Sequence, residues 1–166
     1  MPLIENGRAV ADPWVSLADD APLTPDSHVI VSFARWQAER EALSVRNAPL
    51  GVRLPSNVSA DAIAPDLERF ALVAVEFPKF RDGRGFSTAR ALRERYGYTG
   101  EIRAVGHVIA DQYPLLVRCG VSTVEVPEGA NVETWARTLN TMTVAYQAGL
   151  SAEEPLSLLR RRVTAA

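Results

Sequence analysis

Five short apolar runs, rich in β-branched residues, dominate the chain: HVIVSF from residue 28, LGVRL from 50, LVAVEF from 72, EIRAVG from 101 and STVEV from 122. Their starts lie 21 to 29 residues apart, close to the shortest unit that holds a strand, a helix and two turns. Runs that are apolar throughout, rather than alternating, belong to strands buried on both faces, and strands alternating with helices make a parallel sheet. The spacing therefore predicts an α/β fold of repeated βα units, as an open sheet or a partial barrel with helices outside.

The segments between the runs carry helix punctuation. SADAIAPDLERF starts at Ser59, and Pro65 should break or kink any helix there. Gly97 follows ALRERY and Gly120 follows LLVRC, where left-handed caps are expected. The clearest helical periodicity runs over 131–147, with Val132, Trp135, Leu139 and Met142 on one face. Before the first run, 1–26 reads as a small β element and linker: a loose hairpin of 8–11 with 14–17, broken by Asp12-Pro13. The tail, 151–166, contains Arg160, Arg161 and Arg162 and reads as a solvated end or a docking segment. All 166 residues are expected to form a single domain with a substantial core.

Composition narrows the function classes. A formal net charge of -2 speaks against a general nucleic-acid binder. One cysteine, Cys119, allows no internal disulfide and no cysteine-rich metal site, so a reducing cytoplasm is expected. The N-terminal segment lacks the basic start and apolar run of a signal peptide, and no stretch has the length of a membrane span. No GxSxG, HExxH, CxxC or nucleotide-binding pattern occurs, and no cofactor or metal is expected.

The chemistry concentrates in FPKFRDGRGFSTARALR, 77–93. It leaves the carboxyl end of a predicted strand, where α/β folds bind their ligands. Gly83 and Gly85 are candidates for a backbone nest at the helix N-terminus, Lys79, Arg81 and Arg84 for direct charge, and Ser87 for a hydroxyl. Together they could hold sulfate, sulfite, phosphate or a carboxylate. The alternative is a tight Asp82-Gly83 turn that one arginine braces through Asp82.

The next strand ends in RAVGHVIADQY, 103–113. His107, Asp111 and Gln112 follow Gly106 and are expected at the same sheet edge as the bend, where His107 could act as a base that Asp111 orients. His107 is a weak candidate base, because a lone histidine at a strand end is more often structural; Asp111 equally suits a helix cap. His28 begins a strand away from other titratable clusters. Glu76 and Glu125 form an unspecific carboxylate pair at the same mouth. Cys119 reads as a small buried hydrophobe.

The stretch FPKFRDGRGFSTARALRERYGYTGEIRAVGHVIADQYPLLVRCG, 77–120, resembles a bacterial family of unknown biochemical function that is associated with sulfite reduction and often encoded beside assimilatory sulfite reductase. The family's pattern falls on Phe77, Pro78, Phe80, Asp82, Gly83, Arg84, Gly85, Ser87, Leu92, Arg93, Gly97, Gly100, Glu101, Arg103, Gly106, Asp111, Gln112, Arg118, Cys119 and Gly120. The chain departs from it at His107 and Ala110. The resemblance implies an accessory role in sulfite reduction, with the reductase or another sulfur-assimilation enzyme as partner. The departures at His107 and Ala110 shift the expected site from His107 to Asp111, Arg103 and the bend. The competing expectation is a small enzyme or binding protein for a sulfur oxyanion or a phosphorylated metabolite, with Arg84 and Arg103 holding the anion and Asp111 as acid-base group.

Overall fold

The computed structural model describes residues 1–141 and 149–150. Met142 and the arginine-rich tail lie outside the described residues. Eight strands form one sheet: β1 (Leu3–Glu5), β2 (Arg8–Val10), β3 (Trp14–Ser16), β4 (His28–Ser32), β5 (Leu50–Leu54), β6 (Leu72–Phe77), β7 (Glu101–Gly106) and β8 (Thr123–Glu125). Their order is β2-β1-β8-β7-β6-β5-β4-β3, parallel from β3 to β8, with β1 antiparallel to both β8 and β2. The five apolar runs are β4 to β8.

The N-terminal hairpin differs from the one expected. β1 and β2 pair through Asn6 and Gly7, both at positive φ (47° and 75°). That is the backbone a two-residue hairpin turn needs, and Asn-Gly is the pair that adopts it most readily. The segment expected to return against Arg8–Val10 instead becomes β3, which pairs in parallel with β4 at the far edge of the sheet.

This arrangement forces the sheet to curl. In a flat sheet of eight strands spaced about 4.8 Å apart, the two edges would be about 34 Å apart. Yet β2 and β3 are those edges, and only Ala11, Asp12 and Pro13 join them. Such a link spans at most about 15 Å. The sheet accordingly curls into a half-barrel.

Strand register sorts the side chains onto two faces. Val29, Val31, Val52, Val73, Val75, Ile102, Ala104 and Val124 belong to the main core. The helices cover this outer face: α1 (Phe33–Ala38), α2 (Arg40–Ser44), α3 (Arg84–Glu94), α4 (Tyr113–Arg118) and α5 (Val132–Leu139) contribute Trp36, Leu43, Ala89, Leu92, Tyr113, Leu116 and Trp135 to it. Each large apolar side chain so buried contributes about 1.5–3 kcal/mol. Trp36 stacks edge-on against Phe70 at 4.7 Å, and Tyr113 against Trp135 at 5.5 Å. Pro65 prevents one continuous helix over SADAIAPDLERF, which forms 3-10 turns at Ala60–Ala62 and Ala64–Arg69. Gly97 and Gly120 take positive φ after α3 and α4, as expected for caps.

The concave face carries a smaller cluster of Ile30, Leu72, Ala74 and Val105, flanked by Trp14. Across it the register sets Ser32, Arg53, Ala74, Arg103 and Thr123 side by side. The fold thus has an apolar outer face under helices and a concave face that mixes apolar and charged side chains.

Candidate functional site: the bend after β6

The bend begins where Pro78 ends β6 and leads into α3. Arg84 folds back onto Asp82, donating from Nε to Oδ1 at 2.9 Å and from Nη2 to Oδ2 at 2.6 Å. The same Nη2 also donates to Ser56 Oγ at 2.9 Å, and that hydroxyl donates to Asp82 Oδ2 at 2.9 Å. The backbone N–H of Arg84 completes the set on Asp82 Oδ1. Asp82 is therefore held well below the usual carboxylate range, first by the Arg84 hydrogen bonds and then by Ser56. The Arg84 guanidinium is shifted upward by the same contact. Arg84 braces the turn and ties it to the loop after β5.

The two glycines serve packing. Gly83 has φ -85° and Gly85 is helical, so neither has the left-handed backbone that a nest of inward N–H groups uses. A Cβ on Gly85 would stand 2.5 to 2.9 Å from the Phe77 ring atoms, so only glycine lets α3 approach β6 this closely.

A second clasp joins the bend to the loop after β7. The His107 N–H donates to Phe77 O at 2.6 Å, and the Gln112 amide donates to Phe80 O at 3.4 Å. Gly106, at φ +97°, permits the crossing, since a Cβ there would meet Phe77 O at 2.6 Å. Asp111, exposed in the 3-10 turn Ala110–Gln112, is thereby carried to the same edge as the bend. The cap expected of Asp111 falls instead to Gln112, whose Oε1 accepts from the Ile109 N–H at 3.3 Å. Lys79, Arg81, Ser87 and His107 are exposed and make no side-chain hydrogen bond or ion pair among the described residues. Phe80 stands between the two cations, 49% exposed.

Arg103 does not join this group. It is the third residue of β7, not the last, so it points into the concave face and is 1% exposed. Its guanidinium forks onto Asp12 at 2.7 and 3.0 Å, donates to Glu101 at 3.0 Å, and lies 3.8 Å from Glu125. Burial works to lower its pKa, but the Asp12 hydrogen bonds and the Glu101 charge outweigh it, and the net shift is upward. Asp12 lies on the link between the sheet edges, so this contact pins the link across the curl.

The two strand-end carboxylates are also separated: Glu125 belongs to the Arg103 group, whereas Glu76 pairs with Arg53 at 2.8 Å. Cys119 is buried, and burial pushes its thiol up. Among the described residues, no group of three or more His, Cys, Asp or Glu is placed to hold a metal ion, and no helix is long and apolar enough to cross a membrane.

A family model for bacterial proteins of unknown function, DUF934, matches residues 51–157, more than half of the chain. The chain belongs to this family. The DUF934 match contains the whole of the bend, the loop after β7 and Arg103, while Asp12 and β1 to β4 lie outside it. A search of curated proteins found no match.

Sequence reasoning did not single out Asp12, Ser56 or Arg53. Asp12-Pro13 reads as a turn, and only the strand order shows that its carboxylate crosses to β7.

Proposed function

We propose that this DUF934 member is a cytoplasmic accessory protein of assimilatory sulfite reduction, which docks the reductase or another sulfur-assimilation enzyme through Lys79, Phe80 and Arg81. The observation that carries this reading is the half-exposed Phe80 between two cations with no partner among the described residues, on a loop clasped at both ends. Aromatic and arginine side chains carry much of the binding energy in protein interfaces, and a loop held in place before binding loses less entropy on docking. The sulfite-reduction context comes from the resemblance of 77–120 to the family associated with it.

Lys79 and Arg81 also support a second reading, a site for a sulfur oxyanion or a phosphorylated metabolite, with Asp111 on the same edge as acid-base group. Arg84 and Arg103 contribute less to it, because each already holds a carboxylate. Capture of sulfite reductase by the immobilised protein separates the two. Docking predicts capture that is lost in Phe80→Ala and Arg81→Ala, with no saturable sulfite or sulfate binding in calorimetry. Saturable oxyanion binding, abolished by Lys79→Ala with Arg81→Ala and indifferent to Phe80→Ala, would favour the second reading.

A further inference from the structure

A cleft of about 430 Å³ opens at the carboxyl ends of β3 to β6, on the concave side. This is the end of a parallel sheet at which ligands bind, and the volume is that of a small-molecule site. Its polar lining is of mixed sign. Arg53 and Glu76 meet at 2.8 Å through one guanidinium N–H, and Asp19 Oδ1 accepts from Ser32 Oγ at 2.6 Å. A guanidinium has five N–H donors and a carboxylate has two oxygens. Arg53 thus keeps most of its fork unbonded among the described residues, and Glu76 and Asp19 each keep one oxygen. Leu17 and Phe33 supply an apolar wall.

The geometry points to this cleft as a binding site for a small zwitterion of amino-acid type, its carboxylate on Arg53, its ammonium on Glu76 and Asp19, and its side chain on Leu17 and Phe33. The charge pattern selects against simpler ligands. A plain oxyanion on Arg53 meets two carboxylates nearby, and a plain cation meets the guanidinium. A ligand with both charges satisfies both signs and leaves the Arg53–Glu76 pair intact. The cleft shares no charged side chain with the bend, so this inference stands apart from the docking reading.

Calorimetric titration of the full chain with L-leucine tests it, alongside two analogues that each lack one charge, 4-methylpentanoate and 3-methylbutylamine. Saturable leucine binding is expected, with each analogue at least about tenfold weaker. Arg53→Gln should weaken leucine and 4-methylpentanoate but spare 3-methylbutylamine, and Asp19→Asn should do the reverse to the analogues. Lys79→Ala with Arg81→Ala should change none of these. The proposal is overturned by no saturable leucine binding below about 10 mM, by an analogue that binds as tightly as leucine, or by Arg53→Gln and Asp19→Asn proteins of unchanged melting temperature that bind as before.

Discussion

Arg84 and Arg103 make the same contact, a guanidinium forked onto an aspartate, in opposite surroundings. Arg84 and Asp82 are two residues apart at the surface, and the Arg84 side chain is 59% exposed. Arg103 and Asp12 are 91 residues apart, and the Arg103 side chain is 1% exposed. Water and salt screen the first pair, so it sets the shape of a local turn and contributes little to global stability. The second is shielded, carries Glu101 and Glu125 with it, and ties the link between the two sheet edges to β7 across the curl. One arginine shapes an exposed turn, the surface proposed to dock a partner; the other holds the curl.

Breaking the buried group should have the largest effect. Arg103→Ala leaves three carboxylates facing one another in the concave face, a change expected to cost about 3–5 kcal/mol in urea unfolding. A loss below about 1 kcal/mol would place Arg103 in the same class as Arg84. Asp12→Asn removes one charge but keeps a hydrogen-bonding group, and about 1–3 kcal/mol is expected. Its signature should be local: amide exchange rises first in β2 and β3, the strands that the link joins.

Gly85→Ala probes the bend from its packed side. The added methyl collides with the Phe77 ring, and overpacking of this kind costs about 1–3 kcal/mol. An unchanged melting temperature would show that α3 shifts freely away from β6.

The smallest effect on stability should come from Arg84 itself. Asp82 has a folded pKa below its unfolded value of about 3.9, so its contribution is complete above that pH and is lost as the pH falls through the folded value. An NMR titration of the Asp82 carboxyl should show a depressed midpoint that moves up toward about 3.9 in Arg84→Ala. A midpoint that does not move would mean that Arg84 does not hold Asp82 in solution.

The contrast also shows what the sequence discloses. The five central strands were legible because a strand buried between helices and the concave face is apolar throughout, and Val-rich runs have few other uses. The caps at Gly97 and Gly120 were legible because positive φ selects glycine. The curl was not: it depends on β1 entering beside β8, a pairing of segments far apart in the chain that no local pattern records. Arg103 was misplaced at the mouth for a related reason: β7 begins at Glu101 as read, but the partner that holds Arg103 in mid-strand is Asp12, which only the curl brings across to it. At the bend, the i, i+2 spacing of Asp82 and Arg84 already offered a brace as the alternative to an anion site. The brace's other partner, Ser56, was not legible, because it arrives from the loop after β5, which no local pattern links to the bend.

The braced bend is thus proposed as a docking surface and the Arg103 group as scaffold. The most direct test is capture of sulfite reductase by a variant combining Lys79→Ala, Phe80→Ala and Arg81→Ala, with its melting temperature measured on the same preparation. Unchanged melting and capture reduced to background are expected. Capture at the level of the unaltered protein by that folded variant would contradict the proposal.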